Sequence, residues 1–179
     1  FFHFDTLEPI NSWKAVENEA NLAYKMNAIL PGDIVIKSIY PVTSEAHCRF
    51  DALHREYKYH IYNKKDPFKS ERAFFFPYTL DIEKMQQAAS ILKEYNDFTS
   101  FSKRNTQVKT FMCQIIQSQW IIEEDMLVYN VIANRFLRGM VRALAATMLQ
   151  VGRNKISLDQ FRTIIEAKDC TKASFAVPP

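Results

Sequence analysis

With 179 residues, 47% of them hydrophobic and 13% aromatic, the chain can fill a sizeable core and carries no disorder signature. The net charge of +3 says little by itself, but basic residues cluster at 49–72, 103–109 and 135–155 among aromatics, which suits an anionic polymer, and no apolar run approaches the length of a membrane span. Cys48, Cys113 and Cys170 are odd in number and lack CxxC or Cys/His spacing, which argues against a disulfide framework or a zinc site and fits a reducing cytosol.

The chain has no initiator methionine, opens on FFHFD as if within a strand and stops at AVPP, so it reads as an excerpt of a longer protein. Phe1 to Asp5 is expected as a short strand, and Asn11 or Ser12 as the cap of a helix to about Met26. A turn around Pro31-Gly32 leads to an alternating strand, Asp33 to Tyr40, and the polar stretch after Pro41 suggests a domain crossing.

A long strand is expected over Arg49 to Tyr62. Its period-2 alternation puts Leu53, Arg55, Tyr57, Tyr59 and Ile61 on one face, so Arg55 and Tyr57 project side by side where polar groups need partners. Phe74 to Phe76 form an apolar patch, and Asp81 caps a helix to about Tyr95 with Ile82, Met85, Ala89 and Leu92 inward. The polar loop Asn96 to Thr110 is long enough to suggest a functional role. A hairpin joins Cys113–Ile122 to Met126–Ala133 across Glu123-Glu124-Asp125. One helix is expected from Phe136 to Val151, with Arg135, Arg138 and Arg142 along one side of its start and an all-apolar second half. Ser157 and Gln160 form a capping box for a last helix through Lys168. The order gives an α+β fold, with an antiparallel sheet and helices packed on one face. The four histidines have no evident shared partner and read as structural or surface residues.

Several separate stretches carry a resemblance: His3-Phe4, NAILPGDI (Asn27 to Ile34), AHCRFDALHREYKY (Ala46 to Tyr59), NDFTSF (Asn96 to Phe101), ANRFLRGMVR (Ala133 to Arg142) and KDCTKA (Lys168 to Ala173). In this order and spacing the chain resembles the TruA family of tRNA pseudouridine synthases. The resemblance implies a pseudouridine-synthase-like fold of two RRM-like subdomains, with residues 1–43 ending the N-terminal one and 44–179 forming a C-terminal catalytic one, truncated at its C-terminus. It also implies a homodimer in the cytoplasm that isomerises uridine in the tRNA anticodon stem-loop, without metal or organic cofactor.

By the same resemblance, Tyr57 is expected to stack on the target base and Arg142 to pair with an essential aspartate. That aspartate belongs to an RTDAGVHA motif, which should lie shortly before Phe1, and a leucine-bearing segment should follow Pro179. Residues 1–179 alone are therefore expected to be inactive. Arg55 matches a third family position. Arg49, Lys58, Lys64, Lys65, Lys103, Arg104, Lys109, Arg135 and Arg138 are RNA-contact candidates of lower rank. The alternative is a non-catalytic RRM-like RNA-binding domain, although the strand has aromatics without the glycine-containing RNP signature.

Overall fold

A computed structural model describes residues 2–8, 12 and 18–178, which divide into two compact units, Phe1–Ala52 and Leu53–Pro179. In the first unit α1 spans Glu19–Ile29, later than the composition suggested, because the Asn18 side chain accepts the Asn21 N–H at 2.9 Å and caps it. The expected caps are not both visible: Asn11 and residues 13–17 lie outside the described residues.

Neither expected strand of this unit forms a ladder among the described residues. Asp33 belongs to the turn and residues 34–40 have no regular structure; the Asn27 carboxamide takes up both backbone groups of Ile36, at 2.9 and 2.7 Å. A side chain thus satisfies polar groups that a neighbouring strand would otherwise serve. The histidines also differ from expectation. His3 and His47 pack with ring centroids 4.6 Å apart, and His3 Nδ1 meets the Cys48 thiol at 3.2 Å.

The second unit carries a four-stranded sheet of order β2-β1-β4-β3, built from β1 (Arg55–Tyr62), β2 (Phe74–Phe75), β3 (Ile115–Glu123) and β4 (Met126–Ala133). It is antiparallel apart from the two-residue β2, which lies parallel to the end of β1. Strand β1 starts six residues later than Arg49 because a turn intervenes: Phe50 and Asp51 N–H groups donate to the His47 carbonyl, and His47 N–H donates to Asp51 Oδ2. Leu53 consequently stays exposed instead of joining a buried face. The hairpin turn places Glu124 and Asp125 at φ 47° and 62°, matching the strand twist as two-residue primed turns do.

Helix α2 (Ile82–Ile91) begins at Asp81, whose carboxylate accepts the Lys84 N–H, and continues as a 3-10 turn over Leu92–Glu94. That N–H, with the Lys84 ammonium, holds the Asp81 carboxyl below its ordinary range. Helix α4 (Leu158–Glu166) begins with both halves of the Ser157/Gln160 capping box in place. Together with α3 (Met140–Gly152), these helices cover one side of the sheet, and Tyr129, Val131, Met85, Leu144, Met148 and Phe161 are fully buried between them. Each such side chain contributes on the order of 1.5–3 kcal/mol of hydrophobic stabilisation.

Helix α3 corrects the sequence reading at its start. Gly139 has φ +77°, a left-handed conformation that interrupts any right-handed helix, so the helix begins at Met140. The segment holding Arg135, Phe136 and Arg138 is a turn before it, and the three-arginine helical face does not exist. Only Arg142 lies in α3, while the helix from Ala143 to Leu149 is buried all round, as the apolar pattern required.

Candidate active site between strand β1 and helix α3

Pairing register places the side chains of β1. Arg55, Tyr57, Tyr59 and Ile61 stand opposite Ala133, Val131, Tyr129 and Leu127, so they share the face covered by the helices. Tyr57 lies near the open start of the strand, 48% exposed, with Phe136 meeting its ring edge-on at a centroid distance of 5.0 Å and 82°. The tyrosine is thereby held by packing against Phe136 while about half of it remains accessible. Phe136, assigned to a helix by its period, instead supports this tyrosine from the turn before Met140.

Arg142, half buried in the first turn of α3, donates from Nε and Nη2 to the carbonyl of Val177 at 3.1 and 2.8 Å. No carboxylate forms an ion pair with it among the described residues. Its charge is nevertheless felt at Tyr59: burial pushes that phenol up to about 12, and the Arg142 guanidinium pulls partly back. Tyr59 donates its hydroxyl to the Pro178 carbonyl at 2.7 Å. Tyr57 and Tyr59 are two residues apart on one face, so the Tyr57 ring shares its side of the sheet with the tyrosine on which the Arg142 guanidinium acts.

The segment that closes over this region is anchored at both ends. Ser174 N–H donates to Thr147 Oγ1 at 3.2 Å, and Ala173 and Val177 are buried. Phe175 approaches the turn at Gly139, where an added Cβ would stand 3.2 Å from its Cε1. Sequence reading named neither Tyr59 nor this segment as part of a site. The only available signal was that Tyr59 repeats the phenol of Tyr57 one pleat along.

Arg55 donates to the Asn134 carbonyl at 3.2 Å, tying the start of β1 to the turn after β4. The lower-ranked cations scatter. Lys58 points to the opposite face of the sheet and pairs with Glu123 at 2.7 Å. Lys64 and Lys65 line a groove of about 830 Å³ with Phe68, Tyr78 and Ile122, at the far end of β1. Lys103 and Arg138 are joined by a backbone hydrogen bond of 3.0 Å, and both are exposed. Arg104 acts on Asp169, whose carboxyl is held low first by the Thr171 N–H. Arg135 faces Cys113, a thiol that burial pushes up to about 11, so it is no thiolate nucleophile at neutral pH. Lys109 is exposed, and Arg49 lies in the first unit with its guanidinium 5.6 Å from the Phe50 ring centroid.

NDFTSF serves the fold in this structure. Asp97 Oδ1 accepts from Thr99 N–H and Oγ1 at 3.1 and 2.7 Å, Lys168 pairs with it at 3.2 Å, and Phe98 and Phe101 are fully buried. Burial raises the Asp97 carboxyl, but those donors outweigh it and hold the group low. No group of three or more histidine, cysteine or acidic residues among the described residues is arranged to hold a metal, and no helix there is long and apolar enough to cross a membrane.

The family model described as tRNA pseudouridine synthase matches residues 88–179, the half that includes α3 and the segment over it. Over its whole length the chain is similar to proteins named tRNA pseudouridine synthase A. It is 48% identical to that of Parabacteroides distasonis over 176 residues, covering 98% of this chain and 68% of the relative. The protein of Bacteroides fragilis is 43% identical over 98% of this chain and 68% of its own length, and that of Staphylococcus aureus strain N315 is 32% identical over 99% and 65%. With half of it matched by the family model and nearly all of it aligned at such identities, the chain belongs to the tRNA pseudouridine synthases, an isomerase family.

Proposed function

We propose that the site between β1 and α3 isomerises uridine to pseudouridine in the anticodon stem-loop of tRNA, with Tyr57 stacking on the extruded base and Arg142 holding an aspartate supplied from outside residues 1–179. The observation that carries this reading is the placement of a half-exposed, Phe136-backed Tyr57 on the same sheet face as a guanidinium whose only hydrogen-bond acceptor among the described residues is a backbone carbonyl. A base taken from its stack loses contacts that an aromatic face restores. A half-buried guanidinium next to a cleft favours the ionised form of any carboxyl brought to it.

The reaction conserves composition. The N1–C1′ bond breaks, the base turns, C5 bonds to C1′, and the proton lost from C5 is balanced by one gained at N1. The chain contributes orientation and charge, and the aspartate contributes the carboxylate. The same reading makes the working enzyme a cytoplasmic homodimer with tRNA across it, built from RRM-like halves divided near residue 43. The exposed cations Lys103, Arg104, Lys109 and Arg138 are suited to RNA phosphates.

The test compares residues 1–179 with the full-length protein on an anticodon stem-loop transcript, reading pseudouridine directly. Product from the full-length protein alone is expected. Product from residues 1–179 alone would refute the assignment of the chemistry to an upstream aspartate.

A further inference from the structure

Two consecutive carbonyls, those of Val177 and Pro178, are each held by a side chain of the candidate site. Arg142 from α3 donates twice to the first, at 3.1 and 2.8 Å, and Tyr59 from β1 donates to the second at 2.7 Å. The second carbonyl belongs to a proline, whose ring fixes the φ that links the two carbonyl carbons, so holding one limits where the other can lie. The geometry also assigns the edges of the guanidinium. The Nε–Nη2 edge is spent on Val177, and the Nη1–Nη2 edge, the fork that accepts a carboxylate in two parallel hydrogen bonds, has no partner among the described residues.

We infer that Tyr59 is a positioning residue: through Pro178 and Val177 it fixes the guanidinium of Arg142 so that the fork edge faces an incoming carboxylate. This rests on the functional reading above, and it adds a residue and a route to it. The alternative for Tyr59 is a phenol that merely fills space beside Tyr129. Tyr59 is held neutral, with its phenol up to about 12, and therefore stays a donor throughout the physiological range. The Tyr59–Pro178 bond is exposed, so water can satisfy the Pro178 carbonyl when the hydroxyl is removed, and little cost in stability is expected. The consequence of losing it falls on orientation.

The experiment uses the full-length protein carrying Tyr59→Phe, assayed on tRNA transcript. The expected result is a kcat lowered about fivefold, as the loss of one neutral hydrogen bond allows. KM stays within about twofold, the melting temperature is unchanged, and the acidic limb of the kcat profile moves up by about half a pH unit because the carboxylate is less well held in its ionised form. Placed on an Arg142→Lys background, Tyr59→Phe adds nothing further, since a lysine has no fork to aim. A variant with wild-type kcat and an unmoved acidic limb overturns the inference. So does one whose loss of activity tracks a lowered melting temperature with no limb shift. Should Tyr59→Phe not fold, 3-fluorotyrosine at 59 keeps the ring and strengthens the donor, and the limb should then move down; an unmoved limb overturns the inference here too. Failure of the wild-type protein to make pseudouridine would instead sink the functional reading itself.

Discussion

The two ends of the sheet's helix-covered side differ in kind. At the Ile61 end lies a concavity of about 830 Å³ lined by Phe68, Tyr78, Ile122 and three lysines, of which Lys69 is ion-paired to Asp66 at 3.7 Å. At the Arg55 end a half-buried guanidinium, Arg142, and a tyrosine raised by burial, Tyr59, converge on the carbonyls of Val177 and Pro178, and the half-exposed Tyr57 stands one pleat from Tyr59 on the same face. Volume marks the first region and convergent chemistry the second. Convergence of polar groups from a strand and a helix on one segment, beside a tyrosine that burial shifts, is what makes the second end the candidate site.

Three variants of the full-length protein would break or sharpen that contrast. Arg142→Ala should have the largest effect, a loss of about 100-fold or more in kcat/KM on tRNA with a circular dichroism spectrum like the wild type, comparable to removing a preorganised donor from an active site. A loss below about tenfold would leave the arginine as mere packing. Gly139→Ala comes next. At φ +77° a side chain is strained, and its Cβ would meet Phe175 Cε1 at 3.2 Å and Lys103 Cγ at 3.3 Å, pressing on the segment that holds Arg142. A destabilisation of about 1–3 kcal/mol in denaturant unfolding is expected, with a fall in kcat beyond what the unfolded fraction explains. The smallest effect belongs to the groove end. Lys64→Ala with Lys65→Ala should raise KM a few-fold and reduce the salt dependence of tRNA binding by about one unit per lysine, with kcat unchanged. A kcat loss like that of Arg142→Ala would mean that the chemistry is not confined to one end.

How far the sequence could be read depended on the range of the forces involved. The Asp81 cap, the Ser157/Gln160 capping box, the Glu124-Asp125 turn and the all-round apolar run Ala143–Leu149 are local, and each appears where the residues place it. The start of α3 was misread because the hydrophobic period continues through Phe136, whereas a single glycine at +77° decides the backbone there. The strands of the first unit were overcalled for a related reason. Alternation in residues 33–40 supplies the pattern of a strand, but Ile36 has an asparagine side chain as its partner in place of a ladder.

By itself, then, the sequence determined the caps of α2 and α4, the hairpin, the core-facing periods and, through its spaced motifs, the family, because all of these are written in residues close together along the chain or in their order. Only the tertiary structure decided that Arg142 stands apart from Arg135 and Arg138, that Phe136 backs Tyr57, and that Tyr59 and Arg142 grip Pro178 and Val177. Those contacts join residues 35 positions apart for Arg142 with Val177, 79 for Tyr57 with Phe136 and 119 for Tyr59 with Pro178. No period in the sequence encodes such separations, since they are fixed by how a sheet and a helix pack together.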